Sequence, residues 1–139
     1  MVYVLIADGF EEIVQYSRMH LPEEACGLIG GTINGKEKIV EKIYYIENTD
    51  HSNEHFSLDV KHQLAAIKDM RQNGLLPLGN FHSHPETPSR PSDEDKKFIL
   101  DKNASYMILS LKHEPVLKAF VICETGIEEE KVLIIKKFD

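Results

Sequence analysis

The sequence predicts an α+β fold: a mixed, mostly antiparallel sheet flanked by helices, or a three-layer arrangement. Three observations lead there. Apolar runs of strand length recur along the chain, separated by polar and Gly/Pro-containing turns. Two other segments carry apolar residues at helical spacing. Between the first of these and the next, Asn34-Gly35 is a strong two-residue hairpin signal. With 139 residues and 42% hydrophobic content, the chain is long and apolar enough for a core and reads as one domain over 1–139.

Taken in order, Met1 to Asp8 is apolar but short, lacks a basic leading region, and so reads as a strand and not as a signal peptide. Asp8 caps a predicted helix to about His20, with Glu11 placed as in a capping box and Phe10, Ile13 and Val14 as its apolar side. Ala25 to Ile33 reads as a buried strand, and Lys36 to Ile46 returns beside it with Ile39, Ile43 and Tyr45 on one face. Asn48 to His55 is polar and reads as a surface loop. Val60, Leu64, Ile67 and Met70 then recur at helical spacing as core residues, and Asn73-Gly74 ends that helix. Leu75, Leu76, Leu78 and Phe81 form a strand, and Pro85, Pro88 and Pro91 force an extended loop after it. Ser92 opens a short helix with acids in its first turn and Phe98, Ile99 and Leu100 beyond. Tyr106 to Leu111, Val116 to Ile122 and Val132 to Ile135 are the last strands, and Glu128-Glu129-Glu130 reads as a solvated strand entrance.

Composition excludes several classes. No apolar run reaches transmembrane length. A net charge of −7 argues against a nucleic-acid groove, while permitting a basic partner or one with a neutral tail. Cys26 and Cys123 form no paired motif, so two buried thiols in a cytoplasmic protein are the simplest reading, with a disulfide left open. Oligomeric state is not legible.

The chemistry concentrates between Gly79 and Asp95, G-N-F-H-S-H-P-E-T-P-S-R-P-S-D-E-D. On a strand, His82 and His84 point the same way, because side chains alternate with period two. Asp95, eleven residues after the second His, returns to the same point if the proline loop turns the chain back. Three N/N/O ligands with a fourth position for water describe a catalytic zinc site, one ion per chain, and a hydrolase that activates water. Ser83 lies between the ligands and faces the other way, as a strand hydroxyl satisfied by backbone. His20, His51, His55, His62 and His113 show no ligand spacing with this segment.

H-S-H-P followed by S-D-E-D at this distance fits the motif of the JAMM, or MPN-plus, metalloproteases: His-Ser/Thr-His-x7-Ser-x2-Asp, with no insertion or deletion. The family pattern also has an upstream Glu two residues before a Gly-Leu strand. Glu23-Glu24-Ala25-Cys26-Gly27-Leu28 resembles that element, and the register selects Glu24 over Glu23. The resemblance extends over most of the chain. It implies an MPN fold with a cytidine-deaminase-like outline, zinc on His82, His84 and Asp95, Glu24 as general base and then acid, and Ser92 as donor to the oxyanion. It also places the loop carrying His51 and His55 at the edge of the cleft. Deaminase chemistry itself is excluded, because the chain has no Cys-x-x-Cys element.

The resemblance further implies a substrate with a Gly-Gly tail. JAMM peptidases commonly cleave after the C-terminal glycine of ubiquitin-like proteins, and compact prokaryotic members are linked to sulfur carriers of the ThiS/MoaD type. A bare Gly-Gly tail threads a narrow cleft that bulky residues cannot enter. The expected partner is therefore a ubiquitin-like or sulfur-carrier protein, with neither nucleic acid nor membrane. Rival readings are a non-catalytic MPN scaffold, a RadC-like protein, and a phage-tail or cell-wall peptidase. Five intact motif positions weigh against the scaffold; Ser83 where the RadC-like motif has Asn, together with the acidic charge, weighs against the second; and the absence of a signal peptide or fused peptidase domain in this sequence weighs against the third.

Overall fold

The computed structural model describes residues 2–52, 57–91, 104–123 and 126–135. Within these, β1 (Val2–Ile6) runs straight into α1 (Ala7–Met19), followed by β2 (Cys26–Asn34), β3 (Glu37–Ile46), α2 (Val60–Gln72), β4 (Leu76–His84), β5 (Ser105–Ser110), β6 (Val116–Cys123) and β7 (Gly126–Ile135). The strand order is β1-β3-β2-β4-β5-β6-β7, and β1 also pairs with β7, so the sheet closes on itself. β2–β3, β2–β4, β5–β6 and β6–β7 are antiparallel, while β1–β3, β1–β7 and β4–β5 are parallel. The mixed, mostly antiparallel α+β expectation is borne out.

Alternation along β2 explains how both helices dock. Ile29 belongs to a core with Ile13 and Val14 of α1, Val40, Leu78, Phe81, Met107 and Leu109. Its neighbour Leu28 points to the opposite face and packs with Ile46 and with Ala66 and Met70 of α2. The sheet is thus covered by α1 on one face and by α2 on the other.

Several details differ from the sequence expectation. Asp8 sits in the first turn of α1 and not at its cap, still favourable to the helix dipole. The hairpin loop is Gly35-Lys36, one residue later than expected, because Asn34 pairs with Glu37; Gly35 supplies the positive φ of +61° at the first loop position. A bulge shifts the β2–β3 register between Gly30 and Gly31 and flips the alternation of β3 there. Val40, and not Ile39, therefore joins Ile43 and Tyr45 in the α1-side core.

α2 begins at the cap Asp59, whose carboxylate accepts the His62 N–H, and ends as expected at Asn73-Gly74. There the Leu75 N–H bonds the Met70 carbonyl over Gly74 at φ +68°. Its buried residues are Ala66 and Met70, with Ile67 half-buried, whereas Val60 and Leu64 are 66% and 65% exposed. At about 100° per residue the Ala66–Met70 seam lies roughly a third of a turn from Val60 and Leu64. The helix docks by one edge of its apolar stripe.

Finally, β7 starts at Gly126, so the triple-glutamate run lies inside a strand. Glu128 and Glu129 are exposed, but Glu130 is buried and pairs with Lys38 of β3 at 3.0 Å. Lys38 also donates to the Ser105 hydroxyl. Among the described residues no helix is long and apolar enough to cross a membrane.

Candidate active site

The end of β4 holds the site because two strands grip it. β4 pairs antiparallel with β2, Cys26 opposite His82, and parallel with β5, His84 beside Ser110. Phe81 and Ser83 point to the α1 side and are fully buried. His82 and His84 point to the other face, 3% and 2% exposed. Ser83 does what a strand hydroxyl satisfied by backbone does: its Oγ accepts the Ala25 N–H at 2.8 Å, and its own N–H donates to the Ala25 carbonyl at 2.9 Å.

The two imidazoles converge. Nε2 of His82 and Nε2 of His84 lie 3.1 Å apart, with ring centroids 4.9 Å apart. Two nitrogens bound to one tetrahedral zinc at about 2.0–2.1 Å are separated by roughly 3.4 Å, so this spacing suits a shared ion. The second shell fits as well. His84 Nδ1 is 2.8 Å from the Pro88 carbonyl, which can only accept, so Nδ1 carries the hydrogen and Nε2 the lone pair. The proline loop that supplies this carbonyl is itself tied down. Ser110 Oγ donates to the Thr87 carbonyl, Ser89 Oγ donates to the Val116 carbonyl, and the Leu111 N–H donates to the His84 carbonyl.

Glu24 precedes β2, and the Ala25–Ser83 bonds carry the ladder past the strand's end. Continuing the alternation from Cys26 puts Glu24 on the histidine face, where it is 2% exposed. Its backbone is held by the next loop: its N–H donates to the Ser52 carbonyl at 2.6 Å, and its carbonyl accepts Asn48 Nδ2 at 3.0 Å. Glu23 instead turns outward to His51, with Oε2 3.3 Å from Nδ1. Gly27 sets the spacing of these strands. A Cβ there would run into the Tyr44 carbonyl and the Phe81 ring, so only glycine lets β2 lie this close to β3 and β4.

Cys26 lies beside His82 in the ladder. Burial, reinforced by the charges of Glu24 and Asp50, pushes its thiol up to about 12, and the thiol donates to the Ile46 carbonyl. Cys26 is a free thiol, and the side chain of Cys123 lies outside the described residues.

Ser92 and Asp95, and the short helix expected to carry them, lie outside the described residues, as does His55. Among the described residues no group of three or more His, Cys, Asp and Glu could hold a metal ion. Of the predicted site residues the structure brings His82 and His84 together, with Glu24 buried on the same face of the sheet. Of the other histidines, His20 caps Tyr16 at the end of α1, His62 pairs with Asp59, and His51 and His113 are exposed. Asn48 is the residue that sequence reasoning passed over. Its surroundings in sequence are those of a polar loop, but it is 5% exposed and bonds Glu24. The available signal was an Asn two residues before an Asp in a turn-forming run.

The family model for prokaryotic homologues of the JAB domain matches residues 7–123. The chain belongs to this family. Among curated relatives, this JAB chain is 29% identical to the CysO-cysteine peptidase of Mycobacterium tuberculosis, over 99% of its own length and 95% of that protein. It is 31% identical to the desampylase of Pyrococcus furiosus, over 80% of its length and 76% of that protein. A solution structure of a Desulfitobacterium hafniense protein, 45% identical, superposes with a TM-score of 0.90 over 100% of this chain and 96% of the other. A JAB1/MPN domain protein of Archaeoglobus fulgidus, at 18% identity, shares the fold with a TM-score of 0.62 over 98% of this chain and 100% of the other.

Proposed function

We propose that this JAB chain is a zinc-dependent peptidase. It hydrolyses the peptide or isopeptide bond after the C-terminal glycine of a ubiquitin-like or sulfur-carrier protein. The observation that carries the reading is the convergence of the His82 and His84 Nε2 atoms at 3.1 Å, with the buried Glu24 on the same face. The two relatives named a CysO-cysteine peptidase and a desampylase support the substrate class.

His82 and His84 would hold zinc with Asp95 as third ligand. When bound, zinc would bring the pKa of a coordinated water to about 7 and polarise the scissile carbonyl. The chain's own residues do the rest. The Pro88 carbonyl holds the imidazole of His84 by Nδ1, which turns its Nε2 toward that of His82. Glu24 accepts the proton of the attacking water and delivers it to the leaving amine. Ser92 donates a hydrogen bond to the carbonyl oxygen as negative charge builds there. The narrowness of the glycine tail lets it reach a glutamate that is nearly closed to solvent.

Cleavage of carrier–peptide fusions ending in Gly-Gly tests this directly. Zinc-loaded protein is expected to release the peptide, and Glu24→Gln is expected to abolish release while keeping the metal. Cleavage that survives Glu24→Gln would sink the assigned mechanism.

A further inference from the structure

The loop after β3 builds the seat of Glu24, and one side chain organises it. Asn48 Nδ2 donates to the Glu24 carbonyl at 3.0 Å, while Oδ1 accepts the N–H of Asp50 at 3.0 Å and of Ser57 at 3.1 Å. A carboxamide oxygen has two lone pairs, so both are used to pinch the loop shut. The bond to Asp50 is an Asx turn. It swings the chain so that His51 adopts a left-handed φ of +47°, with its N–H on the Asn48 carbonyl at 3.2 Å. That turn delivers the Ser52 carbonyl to the Glu24 N–H.

Both backbone polar groups of Glu24 thus end on this loop. One is held by the Asn48 side chain itself, the other through the turn that side chain nucleates. On the far side Ala25 is locked to Ser83, between the two histidines. We propose that Asn48 is a positioning residue for Glu24, fixing the carboxylate against the His82/His84 pair through the Glu24 backbone. The proposal rests on the reading of Glu24 as general base.

The physical requirement is tight. A catalytic group must be held within about 0.5 Å of its productive place, and a 1 Å error can cost on the order of 100-fold in rate. Burial makes the alternative costly too, because a Glu24 carbonyl that loses its donor finds little water to replace it.

Asn48→Asp separates positioning from folding. It keeps the size of the side chain and both acceptor bonds to Asp50 and Ser57, but replaces the donor facing the Glu24 carbonyl by an oxygen. The expected result, on zinc-reconstituted protein with a carrier–peptide fusion, is a kcat lowered on the order of 100-fold with KM within about two-fold. Zinc content stays near wild type and the variant stays folded at the assay temperature, with a melting temperature lowered by the Glu24 carbonyl left without its donor. A kcat within about two-fold of wild type, or a loss fully accounted for by lost zinc or lost folded protein, would overturn the proposal. If Asn48→Asp does not fold, Asn48→Ser, which is shorter but neutral, is read on the same kcat-against-KM split. Glu24→Gln is measured alongside: wild-type activity there would remove the underlying reading without reference to Asn48.

Discussion

Two buried polar clusters lie in the same sheet, carried by different strands. Cys26 pairs with His82 at one end of β2, and Ile33 pairs with Lys38 at the other, seven residues away. At about 3.3 Å per residue that is roughly 20 Å along β2, while Ser105 pairs with Gly79 of β4, closer to His82. In the first cluster two imidazole nitrogens approach each other on the face that also buries Glu24; in the second an ammonium and a carboxylate, 7% and 3% exposed, meet at 3.0 Å. The difference is complementarity. Lys38 pairs with Glu130 Oε2 and donates to Ser105, so the opposite charges of that cluster offset each other, although Glu130 Oε1 has no hydrogen-bond partner among the described residues. His82 and His84 aim their Nε2 atoms at one point, an arrangement that a bound cation would complete. Burial of polar groups alone does not mark a functional site; convergence of like groups does.

The comparison breaks most sharply with Glu24→Gln. Cleavage of a carrier fusion should fall by at least about 100-fold, the usual contribution of a general base, while thermal stability holds or rises. If stability collapsed instead, Glu24 would belong with the structural cluster.

The converse holds for Lys38→Met. Leaving the Glu130 carboxylate buried without its partner should cost about 3–5 kcal/mol, measured by urea unfolding. The double variant Lys38→Met/Glu130→Leu should recover most of that loss. Both proteins, once folded and zinc-loaded, should keep wild-type turnover.

Gly27→Ala joins the two behaviours. The added methyl meets the Tyr44 carbonyl and Phe81, which should cost about 1–3 kcal/mol and widen the β2–β4 spacing that sets Glu24 against His82. A drop in kcat beyond the loss of folded protein is expected in the same assay.

The smallest effect is on the surface. Lys42, then Tyr44, hold the Asp69 carboxyl below its ordinary range by hydrogen bonding. Because the folded-state value is depressed, this contribution is present above the ordinary carboxylate pKa of about 4 and fades as pH falls through the lower folded value. Asp69→Asn should lower the melting temperature slightly at neutral pH and lose less on acidification than wild type does.

Much of this was legible in the sequence, for physical reasons. His82-x-His84 on an apolar run is a period-two pattern, and period two fixes the face. The hairpin and the end of α2 were legible because glycine is needed at positive φ. What escaped depends on long-range pairing. β1 lies parallel between β3 and β7, which no local pattern encodes. The bulge at Gly30 and Gly31 flips β3 by one residue, which moved Val40 into the core in place of Ile39. Glu130 looked solvated because its partner Lys38 is 92 residues away in sequence. Asn48 looked like loop polarity because its role lies in bonds to Glu24 and Ser57, not in its neighbours.

The central claim is that the histidine pair is a metal site, and metal content tests it most directly. Purified wild type and His82→Ala would be compared by mass spectrometry before and after zinc reconstitution. The account predicts about one zinc per wild-type chain, lost in the variant, as a three-ligand site with one open position requires. Absence of zinc from wild type after reconstitution, or equal zinc in both proteins, would contradict it.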